Sequence, residues 1–142
     1  MDNVIYSATA TAWGGRRGRV LSTDDRLDVN LSSPAAMGGD DGPGTNPEQL
    51  FAAGYAACFH SALKSVARHR KVDVSESAVS VTISLVGSIR PGSLGMTGRI
   101  EAELPGVESA VAHELLERAH ELCPYSAVTR GNMPVELVVV EA

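Results

Sequence analysis

Two cysteines, Cys58 and Cys123, are the residues of this 142-residue chain best suited to redox chemistry, and their use depends on whether either can become a thiolate. Cys58 lies in a run from Leu50 to Phe59 in which every side chain is apolar, Ala or Gly, apart from the hydroxyl of Tyr55. Such surroundings keep a sulfur protonated, because burial disfavours the charged form. It also stands eleven residues beyond Pro47, too deep in a helix to feel an N-terminal dipole that fades within the first turn. A reactive Cys58 therefore calls for a cation from elsewhere in the chain. The cationic cluster placed on a tight turn is Gly14-Gly15-Arg16-Arg17-Gly18-Arg19, and one of its arginines is the candidate.

An arginine entering an apolar interior needs a carboxylate to offset its desolvation, and Glu48, among apolar neighbours at the start of the helix, is the expected partner. Ten residues separate Glu48 from Cys58, about 15 Å along a straight helix at 1.5 Å per residue, so they cannot touch within one helix. Either the arginine spans that gap or a second copy of the chain supplies one end, which motivates a homodimer with its sites at the interface. Cys123 precedes Pro124 at the end of a second helix, where the negative end of the dipole opposes a thiolate. It is expected to be the poorer nucleophile and suits a resolving thiol that condenses with a sulfenic acid on Cys58.

Of six aromatic residues, Phe51, Tyr55 and Phe59 form an i, i+4, i+8 stripe around Cys58, Tyr125 follows Cys123, and Trp13 precedes the arginine turn, leaving Tyr6 apart. The concentration suits an apolar substrate pocket, although a core helix carries the same stripe. The four histidines, His60, His69, His113 and His120, lack metal-site spacing: His113-Glu114 is followed by a histidine seven positions after His113 rather than four. The glycines of residues 38–44 lack the Lys-Ser/Thr of a phosphate loop and read as a spacer.

The elements that must position these residues follow from periodicity. Val4 to Ala10, Arg19 to Thr23 and Leu27 to Leu31 read as a three-stranded meander ending at the Gly-rich loop, residues 38–44. Asn46 is expected to cap a helix running to about Arg70, with Pro47 at its first position and Gln49 reaching back to complete a capping box. Its first half, apolar all round, predicts burial on every side. Val79 to Ile89 and Leu94 to Leu104 form a hairpin around Arg90-Pro91-Gly92-Ser93, Val107 to Cys123 a second helix, and Val135 to Val140 a last strand. Thr129 to Asn132 reads as a turn before it. The order βββ-α-ββ-α-β is an α+β arrangement within a single domain, residues 1–142.

Composition removes other classes. With 44% hydrophobic and 20% charged residues the chain can bury a core, and its net charge of −5 without a basic stripe argues against nucleic acid as partner. No stretch approaches the ~18 apolar residues of a membrane span, and Asp2 stands where a secretory signal carries bases, so a cytoplasmic location is expected, with no membrane partner. Two cysteines in a reducing compartment imply transient rather than static pairing.

Two segments, Thr45-Asn46-Pro47-Glu48-Gln49-Leu50-Phe51-Ala52-Ala53-Gly54-Tyr55-Ala56-Ala57-Cys58-Phe59 and Cys123-Pro124-Tyr125-Ser126-Ala127-Val128-Thr129-Arg130-Gly131-Asn132, resemble the two signature motifs of the organic hydroperoxide resistance proteins, a branch of the OsmC-like family. The resemblance extends over essentially the whole chain and implies an OsmC-like fold assembled as an intertwined homodimer with central buried helices. It also implies a thiol-dependent peroxidase reducing organic hydroperoxides, lipid-derived ones included, to alcohols. Cys58 would be the peroxidatic cysteine, Cys123 the resolving one, and Arg16 with Glu48 the activating pair. Phe51, Tyr55, Phe59 and Tyr125 would line the substrate pocket. The implied reductant is a dithiol, usually dihydrolipoyl groups on a lipoylated protein, with no metal, flavin or haem. Arg17 departs from the acidic or small polar residue expected there, which keeps Arg17 and Arg19 as alternatives to Arg16; Ala127 and Val128 also depart from the commonest motif. A non-catalytic redox sensor or a lipid-binding module on the same scaffold is the competing reading, and turnover separates the two.

Overall fold

Asn46 starts the longest element, accepting the Gln49 amide on its side-chain oxygen at 2.8 Å, with Pro47 opening helix α1, Pro47–His69. The capping box takes a different form from that expected. Gln49 does not return to the Asn46 amide but accepts the Thr45 hydroxyl through Oε1 at 2.6 Å, so the residue before the cap supplies the reciprocal bond. The structure, a computed structural model, describes residues 3–88 and 90–141 and divides into two compact units, one running to Leu50 and one from Phe51.

In the first unit β1 (Ala10–Trp13), β2 (Arg19–Ser22) and β3 (Asp28–Asn30) pair in sequence order as an antiparallel meander. The meander is as expected, but its first strand lies later than Val4 to Ala10. The register runs from Trp13 against Arg19 to Ala10 against Ser22. Beyond a last bond from the Thr23 amide to the Thr9 carbonyl at 3.0 Å the chain turns, with Asp25 at φ 63°, so β2 offers residues 3–8 no further strand partner. Val4, Ile5 and Tyr6, the apolar part of that alternating run, are 79–98% exposed in this chain. The β1–β2 connection is a short 3₁₀ turn, Gly15–Arg17, entered through Gly14 and Gly15 at φ 78° and 57°. At Gly18 a Cβ would lie 1.6 Å from the Trp13 carbonyl oxygen, so no other residue fits there without moving backbone.

The second unit holds the core. Strands β4 (Ala78–Gly87) and β5 (Leu94–Glu103) form the expected hairpin, and β6 (Val135–Val140) joins β5 in parallel. Ile89, the predicted end of the first of these strands, falls outside the described residues. A parallel partner requires a crossover, supplied by α2 (Ser109–Leu122) and by α3 (Pro124–Thr129), a short helix that the periodicity does not announce; the expected turn before the last strand follows it at residues 130–132. Register places Val81, Ile100 and Leu137 in one row and Val79, Ala102 and Val139 in the next. These rows join the core with Tyr55, Phe59, Leu63, Val66 and Ala67 of α1 and Ala112, Leu115, Leu116 and Ala119 of α2. That spacing follows one helical face. Within this one chain the opposite face of α1 is open at Ala53, Ala57 and Ser61, because a single chain covers only the face that meets its own sheet and second helix.

Candidate active site

Arg16 and Glu48, 32 positions apart, form a two-pronged ion pair within the first unit: Nη1 to Oε1 at 2.6 Å and Nη2 to Oε2 at 3.1 Å. Glycines fold the turn that presents Arg16, and the cap at Asn46 fixes the first helical turn that carries Glu48. The carboxylate also faces the positive end of the helix dipole. The Glu48 side chain is 13% exposed and that of Arg16 35%. The hydrogen bond to Glu48 raises the Arg16 pKa further, against desolvation, so the guanidinium is permanently charged. Its neighbours go elsewhere. Arg19 makes its own bidentate pair with Asp28, both contacts at 2.8 Å and half exposed, and Arg17 is exposed with no ion pair among the described residues. Of the three arginines, Arg16 is the one paired to Glu48.

In the second unit the two sulfurs meet: Cys58 Sγ and Cys123 Sγ lie 3.5 Å apart, as free thiols. Cys58 is half-buried and Cys123 fully buried. Burial raises the Cys58 pKa; the backbone amide of Tyr125 pulls it down, and the adjacent Cys123 thiol raises it again. Cys123 sits at a corner. Its amide donates to Ala119 at the end of α2 (2.8 Å), and its carbonyl accepts from Ala127 at the start of α3 (3.0 Å), with Pro124 at the first position of α3. The expectation that it feels only the negative end of a dipole is therefore corrected: the ends of two helices oppose one another at this sulfur. Depth, rather than the dipole, distinguishes the two thiols.

The aromatic residues divide. Phe51 stacks on Tyr55 with centroids 6.1 Å apart, and Tyr125 packs edge-on to Phe51 at 6.1 Å and tilted to Tyr55 at 5.6 Å. Gly54 leaves room for this, since a Cβ there would come within 2.5 Å of the Tyr125 hydroxyl. Tyr125 reaches the surface at 39% exposure, whereas Tyr55 and Phe59 have none, and Phe59 belongs to the core. A pocket of about 360 Å³ opens beside Cys58, lined by Ser61, Ala62, Ser65, Leu122 and Pro124.

Sequence reasoning missed a buried polar group next to this site. The Tyr55 hydroxyl bonds Ser126 Oγ at 2.9 Å and Thr129 Oγ1 at 3.1 Å, and His120 Nδ1 bonds Ser126 Oγ at 2.7 Å. Proline directly after a helix end, at Pro124, was the available signal that a new helix begins and turns Ser126 and Thr129 inward. The other histidines are also occupied or apart: His60 with Ser77 at 2.9 Å, His113 with the Ser109 carbonyl at 2.8 Å, and His69 in a groove with Arg70 and Arg118. Among the described residues no three His, Cys, Asp or Glu side chains gather as a metal set, and no helix is long and apolar enough to cross a membrane.

A family model described as OsmC-like protein matches residues 38–138. The chain belongs to the OsmC-like family. Within it the relatives lie in the organic hydroperoxide resistance branch: the organic hydroperoxide resistance protein of Xanthomonas axonopodis pv. citri is 48% identical over 139 residues, covering 97% of this chain and 96% of its own length. The OhrA protein of Bacillus subtilis is 42% identical over 144 residues, covering 99% and 100%. Among solved structures of OsmC-like proteins, an organic hydroperoxide resistance protein from Legionella pneumophila superposes with a TM-score of 0.91 at 40% identity, over 98% of this chain and 100% of that one. One from Vibrio cholerae, carrying captopril in one of its active sites, gives 0.87 at 42% identity over 96% and 93%. The α+β, OsmC-like fold expected from the motifs is thus the fold of the chain.

Proposed function

We propose that this chain is a thiol-dependent peroxidase that reduces organic hydroperoxides, lipid-derived ones included, to alcohols. The observation that carries the reading is the 3.5 Å approach of a half-buried and a fully buried thiol. Two sulfurs at that separation need only a small movement to close a disulfide, and the more accessible one is free to meet an oxidant first. The names of the relatives, organic hydroperoxide resistance proteins, supply the substrate class.

In the proposed cycle the thiolate of Cys58 attacks the outer peroxide oxygen, the O–O bond breaks, and the alkoxide takes a proton to leave as the alcohol. A burial-raised thiol needs a cation for this, and the permanently charged Arg16, held by Glu48, is assigned that task. The sulfenic acid on Cys58 then condenses with Cys123, releasing water and forming the disulfide. An external dithiol, a dihydrolipoyl group on a partner protein, restores both thiols by exchange. Phe51 and Tyr125, packed on the buried Tyr55, supply the apolar surroundings that favour an organic over an inorganic peroxide, while Phe59 belongs to the core. The exposed small-residue face of α1 and the exposed Val4, Ile5 and Tyr6 support a homodimer as the working unit.

The test is consumption of cumene hydroperoxide with dihydrolipoamide or with glutathione as donor. Catalytic turnover with the dithiol and little with glutathione is the expected result. Oxidation once per chain without turnover under either donor overturns the reading and leaves a sensor.

A further inference from the structure

We propose that Tyr55, Ser126, Thr129 and His120 form a directed hydrogen-bond chain that positions the Cys123 sulfur, and thereby sets the rate at which the Cys58–Cys123 disulfide closes. This rests on the reading of Cys123 as the resolving thiol. Tyr55 and Ser126 have no exposure and Thr129 has 4%. A phenylalanine at position 55 would fill the same apolar space without a hydroxyl to satisfy, so the buried polar group calls for a role.

One order of protons satisfies every contact. The Ser126 carbonyl can only accept, so Thr129 Oγ1 donates to it at 3.2 Å. Thr129 then accepts from Tyr55 at 3.1 Å, Tyr55 accepts from Ser126 at 2.9 Å, and Ser126 accepts from His120 Nδ1–H at 2.7 Å. That order assigns the neutral imidazole its proton on Nδ1.

The chain is anchored where it bears on the sulfurs. Tyr55 stands three residues before Cys58 on α1, just under one turn away. The His120–Ser126 bond joins the last turn of α2 to α3 across the corner at Cys123 and Pro124. Helix α3 has six residues, too few to hold its own geometry in water, so its position depends on such bonds. Closure takes the sulfurs from 3.5 Å to about 2.05 Å, a distance at which small errors in presentation cost rate heavily.

The experiment follows closure by two routes on the reduced protein. In the first, cumene hydroperoxide oxidises Cys58, and disulfide formation competes with trapping of the sulfenic acid by dimedone. In the second, Ellman's reagent forms a mixed disulfide on the more accessible Cys58. Cys123, as thiolate, then attacks the Cys58 sulfur, the bond to thionitrobenzoate breaks, and that thiolate leaves in a second absorbance step while the Cys123 proton passes to solvent. The quantity read is closure relative to the first reaction at Cys58. We expect Ser126→Ala and His120→Ala to lower this ratio at least tenfold. His120→Asn, which keeps a donor near Nδ1, is expected to recover it to within threefold of the unaltered protein. Thr129→Val, which keeps the shape and removes the hydroxyl, serves if Ser126→Ala does not fold. Val74→Ala, in the same core but with no part in these hydrogen bonds, controls for lost stability at a matched Tm. A ratio unchanged in the alanine variants, an equal fall in Val74→Ala, or no recovery in His120→Asn overturns the inference. Failure of cumene hydroperoxide to oxidise Cys58 overturns the peroxidase reading instead, and the second route still reads closure.

Discussion

Cys58 Sγ and Cys123 Sγ, 65 positions apart in the chain, lie 3.5 Å from one another, the first on a long helix and the second at the corner between two others. Their unequal depth leads to unequal roles. Cys58→Ser is expected to abolish hydroperoxide consumption, whereas Cys123→Ser performs one turnover and accumulates sulfenic acid on Cys58. Dimedone adducts counted by intact-protein mass check this, and equal residual turnover in both variants contradicts the assignment.

The ion pair of Arg16 and Glu48 leads to a second expectation. On the proposed role of Arg16, Arg16→Ala should leave the Cys58 thiol with the upward push of burial unopposed by a cation, raise its pKa and slow hydroperoxide reduction about tenfold or more at neutral pH. Arg19→Ala, which breaks the separate pair with Asp28, should leave the rate within about twofold. The pH dependence of Cys58 alkylation measures the first effect. Stability changes should be small, about 1 kcal/mol for Glu48→Ala, because Arg16 remains a third exposed and solvent screens the pair.

His60 and His120 both have pKa values lowered by desolvation, with Lys64 and Arg130 respectively adding to the effect. The unfolded chain takes up protons near pH 6.5 while the folded imidazoles resist. The stabilisation they provide is therefore complete above that pH and is lost as the pH falls through the folded-state values. A Tm series from pH 7.5 to about 5 should fall for the unaltered protein and fall less for the double variant His60→Asn, His120→Asn. Parallel curves would remove these histidines as the cause.

Local backbone devices supply a fourth test. Asn46→Ala removes the acceptor of the Gln49 amide and should cost about 1 kcal/mol, read from the urea midpoint. Gly18→Ala forces a Cβ against the Trp13 carbonyl and should cost more, about 2 kcal/mol or above, because backbone must move. Gly54→Ala meets only the tip of the Tyr125 ring, which can turn aside, so its cost should be the smaller of the two glycine effects.

Much of the fold was legible locally. Asn46-Pro47 marks a helix start by capping chemistry, and alternation from Val79 onward marks strands, since each depends on neighbours a few residues away. The first strand was misplaced because alternation from Val4 to Ala10 says nothing of whether a partner strand extends that far, and β2 ends at Ser22. Apolar composition marks α1 as a helix to be covered but does not reveal how many of its faces one chain covers by itself.

By itself, then, the amino-acid sequence determined the element types, the helix start, the two thiols and the motifs that carry the family likeness. Only the tertiary structure decided which of three neighbouring arginines pairs with Glu48, how near the sulfurs come, and that Tyr55 spends its hydroxyl on Ser126 and Thr129. The physical reason is range. Caps and periodicity act over one turn or one pleat, whereas contacts spanning 32, 65 and 71 positions exist only once packing has set the elements against one another.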